Sequence, residues 1–215
     1  MAEAAPTSPL ASMTAAFAEI RPQSDGALTI GEIPFCAQVT LRVEPGSVAA
    51  LAVADALGLR LPTRPCTVAS QDALDALWMG PDEWLLVSAE RTAADLEGTV
   101  RAALAAHDDP DPVSVVDVSA QRTIVELSGP AARTVLSRGC ALDLHESVLG
   151  AGQCVQTLLA QAPVILQPMT ETDTIRVFVR PSFATYLAAW LLDASFEERS
   201  QATSPGNGEL VLRAG

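Results

Sequence analysis

Residues 77–88 read LWMGPDEWLLVS, in which two apolar runs flank Gly80, Pro81, Asp82 and Glu83. Glycine and proline are typical of positions where an extended chain reverses its direction. The stretch therefore predicts a β-hairpin whose tip lies at Pro81 and Asp82. Because the two strands of a hairpin are antiparallel, this stretch also indicates the kind of sheet to expect.

The segments on either side of the hairpin complete the first half of the chain. Residues 37–43 alternate apolar and polar side chains at period two, which predicts a half-buried strand. Ser47 is a suitable N-cap for a helix over residues 48–57, and Gly58 is a suitable end for it. Apolar residues at helical spacing over 96–107 predict a second helix after the hairpin.

The second half has a similar series of elements. Pro130 and Gly139 mark the start and the end of a helix, and Ser182 is a candidate cap for a final helix with a continuous apolar stripe. Strands are predicted at residues 115–118, 123–127, 154–159, 164–167 and 174–179.

The order strand–helix–strand–strand–helix occurs in residues 37–107 and again in residues 122–194. Two such split βαβ units predict an α+β protein with mainly antiparallel sheets. The repeat therefore predicts four regions: a flexible N-terminal arm (1–25), a first α/β repeat (26–112), a second α/β repeat (113–197) and a C-terminal tail (198–215).

Composition excludes several classes of function. The chain has 215 residues and is 49% hydrophobic, yet no apolar stretch reaches the ~20 residues of a membrane-spanning helix. No basic region precedes an apolar block at the N-terminus, so a cytoplasmic location is expected. A net charge of −13 disfavours nucleic acid as a partner. All 13 basic residues are arginine, which excludes a Schiff-base lysine and a phosphate-binding P-loop.

The four cysteines contain no C-x-x-C pair, so a zinc site built from neighbouring cysteines is not expected. Cys140 lies near His145 in the sequence, so a thiol enzyme is a third alternative. Arg138 is the one nearby cation that could lower the pKa of this thiol.

Seven short motifs follow one another along the chain: PF at 34–35, QVTLRV at 38–43, LWMGPDEWL at 77–85, LSGPAA at 127–132, GCALDL at 139–144, QTLLA at 156–160 and RPSFATYL at 180–187. In this order they resemble the gamma subunit of heterotetrameric sarcosine oxidase, over about residues 8–197. The GPDEW motif, flanked by tryptophan, is the most specific of them.

The resemblance implies partners and cofactors. In that family an alpha subunit carries sites for NAD and tetrahydrofolate, a beta subunit carries FAD and covalent FMN, and a small delta subunit holds zinc. The complex demethylates sarcosine oxidatively to glycine, with hydrogen peroxide and methylene-tetrahydrofolate as the other products. The gamma subunit has no cofactor assigned, and its implied fold is that of the folate-binding aminomethyltransferases.

Two departures from the aminomethyltransferases indicate that their chemistry is lost here. Their D-x-S-H segment corresponds to Asp117, Val118, Ser119 and Ala120, with alanine where histidine would stand. Their catalytic acid lies in a hairpin that corresponds to residues 161–167, which contain neither glycine nor a carboxylate. We therefore expect a structural, non-catalytic subunit. The alternative is a free-standing folate-binding or aminomethyl-transfer protein.

No residue is predicted to be catalytic, to bind a cofactor or to bind a metal in this chain. The candidates for interface or structural roles are Trp78, Gly80, Pro81, Asp82, Glu83, Trp84 and Asp117. The two tryptophans are either interface anchors or core residues. The adjacent carboxylates of the turn are expected to keep it solvated. Asp117 is expected either to cap the turn that follows it or to be a buried carboxylate.

Overall fold

The structure is a computed structural model and describes residues 6–105, 112–169 and 173–201. Its strands in chain order are β1 (Thr29–Ile33), β2 (Ala37–Arg42), β3 (Val68–Gln71), β4 (Leu74–Gly80), β5 (Glu83–Ser88), β6 (Ser114–Asp117), β7 (Thr123–Ser128), β8 (Val155–Leu159), β9 (Ala162–Pro168) and β10 (Thr174–Val179). Its helices are α1 (Thr14–Ala18), α2 (Ile20–Gln23), α3 (Val48–Leu57), α4 (Ala93–Ala105), α5 (Ala132–Ser137), α6 (Pro181–Ala194) and α7 (Phe196–Gln201).

The strands form two five-stranded sheets in which every pairing is antiparallel. The first sheet has the order β3-β4-β5-β2-β6, and the second has the order β1-β7-β10-β9-β8. This confirms the predicted α+β class with antiparallel sheets. The two sheets have equivalent topology. In the first sheet β2 leads into α3, which is followed by the meander β3-β4-β5, and in the second sheet β7 leads into α5, which is followed by the meander β8-β9-β10.

The outer strands next to β2 and β7 are exchanged between the two halves of the chain. Strand β1 comes just before β2 in sequence but pairs with β7, from Thr29 opposite Ser128 to Ile33 opposite Ile124. Strand β6 comes just before β7 but pairs with β2. Each sheet is therefore completed by a strand from outside its own meander.

Helices cover one face of each sheet, and the other two faces pack on each other. Alternation along β5 shows this arrangement, since Trp84 and Leu86 belong to the core beneath α3 and α4, whereas Leu85 and Val87 belong to the core between the sheets. Phe178 of β10 enters the same central core from the second sheet. The third core lies between the second sheet and helices α1, α2, α5 and α6.

The first helix and the hairpin agree with the sequence-based predictions. The Ser47 side chain accepts a hydrogen bond from the Ala50 amide (3.1 Å), and Gly58 ends α3 with a left-handed φ of +68°. The turn at Pro81 and Asp82 joins β4 to β5.

Other boundaries differ from the prediction. Pro181 is the first residue of α6 and Arg180 is its N-cap, so Ser182 does not cap that helix. Proline is suited to this position because the amide that it lacks has no partner there. Pro130 precedes α5, whose N-cap is Ala131. The first repeat contains an additional strand, β3, whose residues are half-buried or exposed and therefore lack an apolar pattern.

Residues 6–25 contain short helices, whereas the sequence predicted a flexible N-terminal arm. A 3-10 turn at Ala11–Met13 precedes α1 and α2, and Leu10, Phe17 and Ile20 are buried in the core of the second sheet. Burial of these apolar side chains stabilises the segment although its sequence shows no periodic pattern. The C-terminal tail beyond residue 201 and the end of the helix predicted over residues 96–107 lie outside the described residues. Over the part of the chain that is described, no helix is long and apolar enough to cross a membrane.

Candidate functional site

The β4–β5 hairpin presents its turn to solvent and its strands to the core. Trp78 pairs with Trp84 across the strands, and the register shifts between Trp78 and Gly80. Pro81 and Asp82 are exposed. The Asp82 carbonyl accepts a hydrogen bond from the Val43 amide (3.1 Å), so the turn is anchored to the end of β2.

Trp84 is a core residue. Its side chain is 1% exposed, and its indole Nε1–H donates a hydrogen bond to the Pro62 carbonyl (2.8 Å). Trp78, on the neighbouring strand, is half-buried. The two tryptophans, equivalent in the sequence pattern, therefore have different environments, and Trp84 has no surface to offer a partner.

Glu83 forms an ion pair across β2 and β5. Its Oε2 accepts hydrogen bonds from Nη2 (2.6 Å) and Nε (3.1 Å) of Arg42, and these bonds raise the pKa of the arginine. The charge of the neighbouring Asp82 also raises the pKa of Arg42. Both adjacent carboxylates therefore act on the same exposed arginine.

Asp117 ends β6 and organises the turn after it. Its Oδ1 accepts hydrogen bonds from the amide (2.8 Å) and the hydroxyl (2.6 Å) of Ser119. Its own amide donates to Glu97 Oε1 on α4 (2.8 Å). The residue is exposed, so of the two roles expected from the sequence it has the turn-capping one.

A cavity of about 520 Å³ opens beside this turn, a volume within the range of small-molecule sites. It is lined by Pro6, Thr7, Pro9, Phe35, Ser119, Ala120, Arg122, Thr123 and Pro181. Ala120 stands where the aminomethyltransferase pattern has histidine. No carboxylate, imidazole or thiol side chain is among these lining residues. Proton transfer to a bound substrate would need such a group within hydrogen-bond distance.

Residues 161–167, which correspond to the hairpin of the aminomethyltransferases that carries their catalytic acid, belong mostly to the interior strand β9. Ala162, Val164 and Leu166 are buried in the core of the second sheet, and Gln167 faces the other way, towards the first sheet. The alternation of a buried strand explains why the stretch is apolar.

A polar cluster that the sequence did not reveal lies between the sheets. Arg176 Nε contacts Glu126 Oε2 at 3.1 Å, and its Nη1 lies 3.7 Å from Asp75 Oδ2. Gln167 Nε2 donates to the same Asp75 oxygen (2.8 Å). The cluster joins β4 of the first sheet to β7, β9 and β10 of the second, and all of its charged groups are paired.

Two of the four cysteines, Cys36 and Cys154, are buried. Burial raises the pKa of Cys154 to about 12 and also raises the pKa of Cys36. The imidazole Nδ1 of His145 lies 2.8 Å from the Ser147 hydroxyl, and Cys140 packs against the core of the second sheet. Among the residues that the structure describes, no group of three or more His, Cys, Asp or Glu side chains could hold a metal ion.

Comparison of structures defines the class of fold. The aminomethyltransferase T of the glycine cleavage system from Bartonella henselae has a similar structure, with a TM-score of 0.56 at 17% identity, over 80% of this chain and 48% of that one. The chain therefore has the aminomethyltransferase type of α+β fold.

Sequence comparison identifies the family. Residues 43–197 match the model of the sarcosine oxidase, gamma subunit family, and the chain belongs to that family. The gamma subunit from Corynebacterium sp. (strain U-96) is 38% identical over 191 residues, which are 88% of this chain and 90% of that one. The gamma subunit from Arthrobacter sp. is 39% identical over 173 residues, which are 80% of this chain and 82% of that one.

A solved structure agrees with this assignment. A chain of the heterotetrameric sarcosine oxidase from Corynebacterium sp. U-96, in complex with pyrrole 2-carboxylate, superimposes with a TM-score of 0.79 at 35% identity. The superposition covers 90% of this chain and 96% of that chain. The likeness therefore extends to nearly the whole folded unit.

Proposed function

We propose that this chain is the structural, non-catalytic gamma subunit of a cytoplasmic heterotetrameric sarcosine oxidase. In this proposal the alpha, beta and delta subunits hold NAD, tetrahydrofolate, FAD, FMN and zinc. The complex converts sarcosine to glycine, hydrogen peroxide and methylene-tetrahydrofolate. Membership of the gamma subunit family and the structural likeness to a heterotetrameric relative support the assembly.

The observation that carries the non-catalytic part is the lining of the cavity beside Asp117. It offers hydroxyl groups and one guanidinium but no acid or base that titrates near neutral pH. Two carboxylates next to this lining are engaged within the chain: Asp117 accepts two hydrogen bonds from Ser119, and Glu32 accepts hydrogen bonds from Ser8 and from the lining residue Thr123. We propose that Trp78 and the turn residues Gly80, Pro81, Asp82 and Glu83 serve stability or assembly.

The proposal can be tested by expressing the chain alone and together with its three partner subunits. We expect the isolated chain to be colourless and inactive towards sarcosine, and the co-expressed complex to be yellow, active and to contain the chain in a 1:1 ratio with the flavin-bearing subunit. Flavin absorbance or sarcosine turnover that purifies with the isolated chain would contradict the proposal.

A second candidate is a free-standing folate-binding or aminomethyl-transfer protein. The likeness of the fold to aminomethyltransferase T and the volume of the cavity favour it. Titration calorimetry of the isolated chain with tetrahydrofolate separates the candidates. Micromolar binding without any other subunit would support the second candidate, whereas the first predicts no heat of binding.

A further inference from the structure

Two arginines stand side by side where β7 and β10 meet, and one of them, Arg122, lines the cavity beside Asp117. Thr123 of β7 pairs with Val179 of β10 at the end of their ladder, and Arg122 and Arg180 are the next residues on the two extended segments. The Gln38 side chain donates a hydrogen bond to the Arg122 carbonyl (2.8 Å), which holds the Arg122 backbone in place. Arg122 lines the cavity, and Arg180 is followed by another lining residue, Pro181.

Neither guanidinium has an acidic partner among the described residues. Ion pairs there involve Arg42, Arg101, Arg138 and Arg176. The negative charge of Glu83 favours the charged form of Arg122 and so raises its pKa, but the Glu83 carboxylate is hydrogen-bonded to Arg42. Burial, and then the positive charge of Arg180, lower the pKa of Arg122. A half-buried cation beside a like charge is electrostatically unfavourable until an anion is added.

The apolar part of the cavity carries an aromatic residue in an unfavourable position. Phe35 is 62% exposed, and its φ of +58° lies in the left-handed region that side-chain-bearing residues rarely adopt. Residues held in such sparsely populated backbone conformations are frequent at sites that bind a ligand. Arginine and phenylalanine are also enriched in protein interfaces.

We propose that this cavity receives an acidic segment of a partner subunit, whose Asp or Glu carboxylate lies between Arg122 and Arg180 while its backbone covers Phe35. A protein segment fits better than a small molecule, because small-molecule sites bury most of their ligand in a preformed enclosure whereas Phe35 stands mostly in solvent here. The chain has a net charge of −13, so this unpaired basic pair is an exception to the charge of the chain. The inference rests on the proposed function and specifies one of its contacts.

The first experiment removes the charges within the co-expressed complex. Complexes with wild-type chain, Arg122→Gln/Arg180→Gln, or the control Arg64→Gln are diluted in low and high salt, and the released chain is measured by native mass spectrometry. We expect the apparent dissociation constant to rise more than about tenfold for the double variant and less than about twofold for the control. The salt dependence should also be weaker in the double variant, because part of it comes from this contact.

Circular dichroism of each isolated chain shows whether the variants fold. If the double variant does not fold, the single variant Arg180→Gln, at an exposed position, replaces it. A double variant that folds and dissociates like the wild type would overturn the inference while leaving the proposed function intact. A wild-type chain that fails to enter the complex would instead overturn the proposed function.

The second experiment identifies the occupant. With Phe35 replaced by the photo-crosslinker p-benzoylphenylalanine in the co-expressed complex, irradiation should link position 35 to a peptide of a partner subunit that contains Asp or Glu. A crosslinked peptide without a carboxylate, or no crosslink to another subunit, would overturn the inference. So would native mass spectrometry that finds a small carboxylic acid bound to the wild-type chain in the complex.

Discussion

Trp84 and Asp117 show how single residues acquire their roles from their contacts. A tryptophan beside a turn can belong to an interface or to a core, and the hydrogen bond from its indole to the Pro62 carbonyl places Trp84 in the core. An aspartate at a strand end can be a buried carboxylate or a cap, and the two hydrogen bonds from Ser119 show that Asp117 caps the following turn. Both interpretations were open in the sequence because a residue type at a turn does not by itself determine which groups its side chain contacts.

The Asp117→Asn variant should retain activity in the complex. Asparagine keeps an oxygen that can accept both bonds from Ser119, so turnover of sarcosine should fall less than about tenfold, whereas loss of a general acid or base typically costs about 10²–10⁴. Steady-state kinetics of the purified complex measures this. A larger loss in a complex with normal assembly would assign Asp117 a catalytic role.

The Trp84→Ala variant should be much less stable than the wild type. Loss of a fully buried indole costs about 3–5 kcal/mol, and the Pro62 carbonyl also loses its donor. Denaturant unfolding of the isolated chain gives the change, with the half-buried Trp78→Ala as the matched control and a smaller expected loss. In whatever complex assembles, the Michaelis constant for sarcosine should stay near the wild-type value. A raised constant with unchanged stability would mean that the hairpin lines a substrate path.

The cysteines should differ in reactivity. Cys66 is exposed, whereas Cys154 is buried with a pKa of about 12 and is therefore a neutral thiol at pH 8. Iodoacetamide at pH 8, followed by peptide mass spectrometry, should label Cys66 in the native chain and Cys154 only after unfolding. Equal labelling rates in the native chain would contradict the burial of Cys154.

At the scale of elements, predictions from the sequence were correct where the local chain carries the determining signal. Helix α3 has its cap and its terminating glycine in the sequence itself, and the hairpin has its turn residues. Strand β3 and the helices before residue 25 lack such signals, because their stability comes from edge pairing and from burial against distant strands. Ser182 resembled a cap, but the N-cap is Arg180, so the helix begins two positions earlier than predicted.

Two serine substitutions distinguish a true N-cap from a serine that only resembles an N-cap in the sequence. Ser47→Ala should destabilise the chain by about 1 kcal/mol, because the amide of Ala50 loses its acceptor. Ser182→Ala should change the stability by less than about 0.5 kcal/mol, since Ser182 is exposed and is not the N-cap. Thermal and urea unfolding of both variants measures the difference. A larger effect at Ser182 would contradict the start of α6 at Pro181.

At the scale of the whole molecule, the central layer between the sheets joins the two halves. Its polar cluster could not have been predicted, because Asp75, Glu126, Gln167 and Arg176 come from four strands and alternate with core residues in each of them. The alignment of strands that are distant in the sequence places Glu126 and Gln167 on either side of Arg176 in one sheet, and the packing of the other sheet adds Asp75. The same reason explains why the basic pair at the cavity, which depends on the alignment of β7 with β10, was missed.

The Arg176→Met variant tests this coupling. Removing the guanidinium leaves two partly buried carboxylates without their cation, so the free energy of unfolding should fall by about 3 kcal/mol. Arg42→Met, which breaks an exposed ion pair, should cost less than about 1 kcal/mol. Urea unfolding followed by circular dichroism measures both. Equal effects would show that the position between the sheets adds nothing to the strength of the pair.

The exchange of β1 and β6 has a consequence for biosynthesis. As the chain leaves the ribosome, Thr29 emerges early, but its pairing partner Ser128 belongs to the second half. The first sheet likewise lacks an outer strand until β6, at Ser114–Asp117, has been made. Neither half can therefore complete its sheet from its own residues alone. Two fragments produced by cleavage between residues 105 and 112 would each carry a strand that the other needs, so they should remain associated and should refold only when mixed.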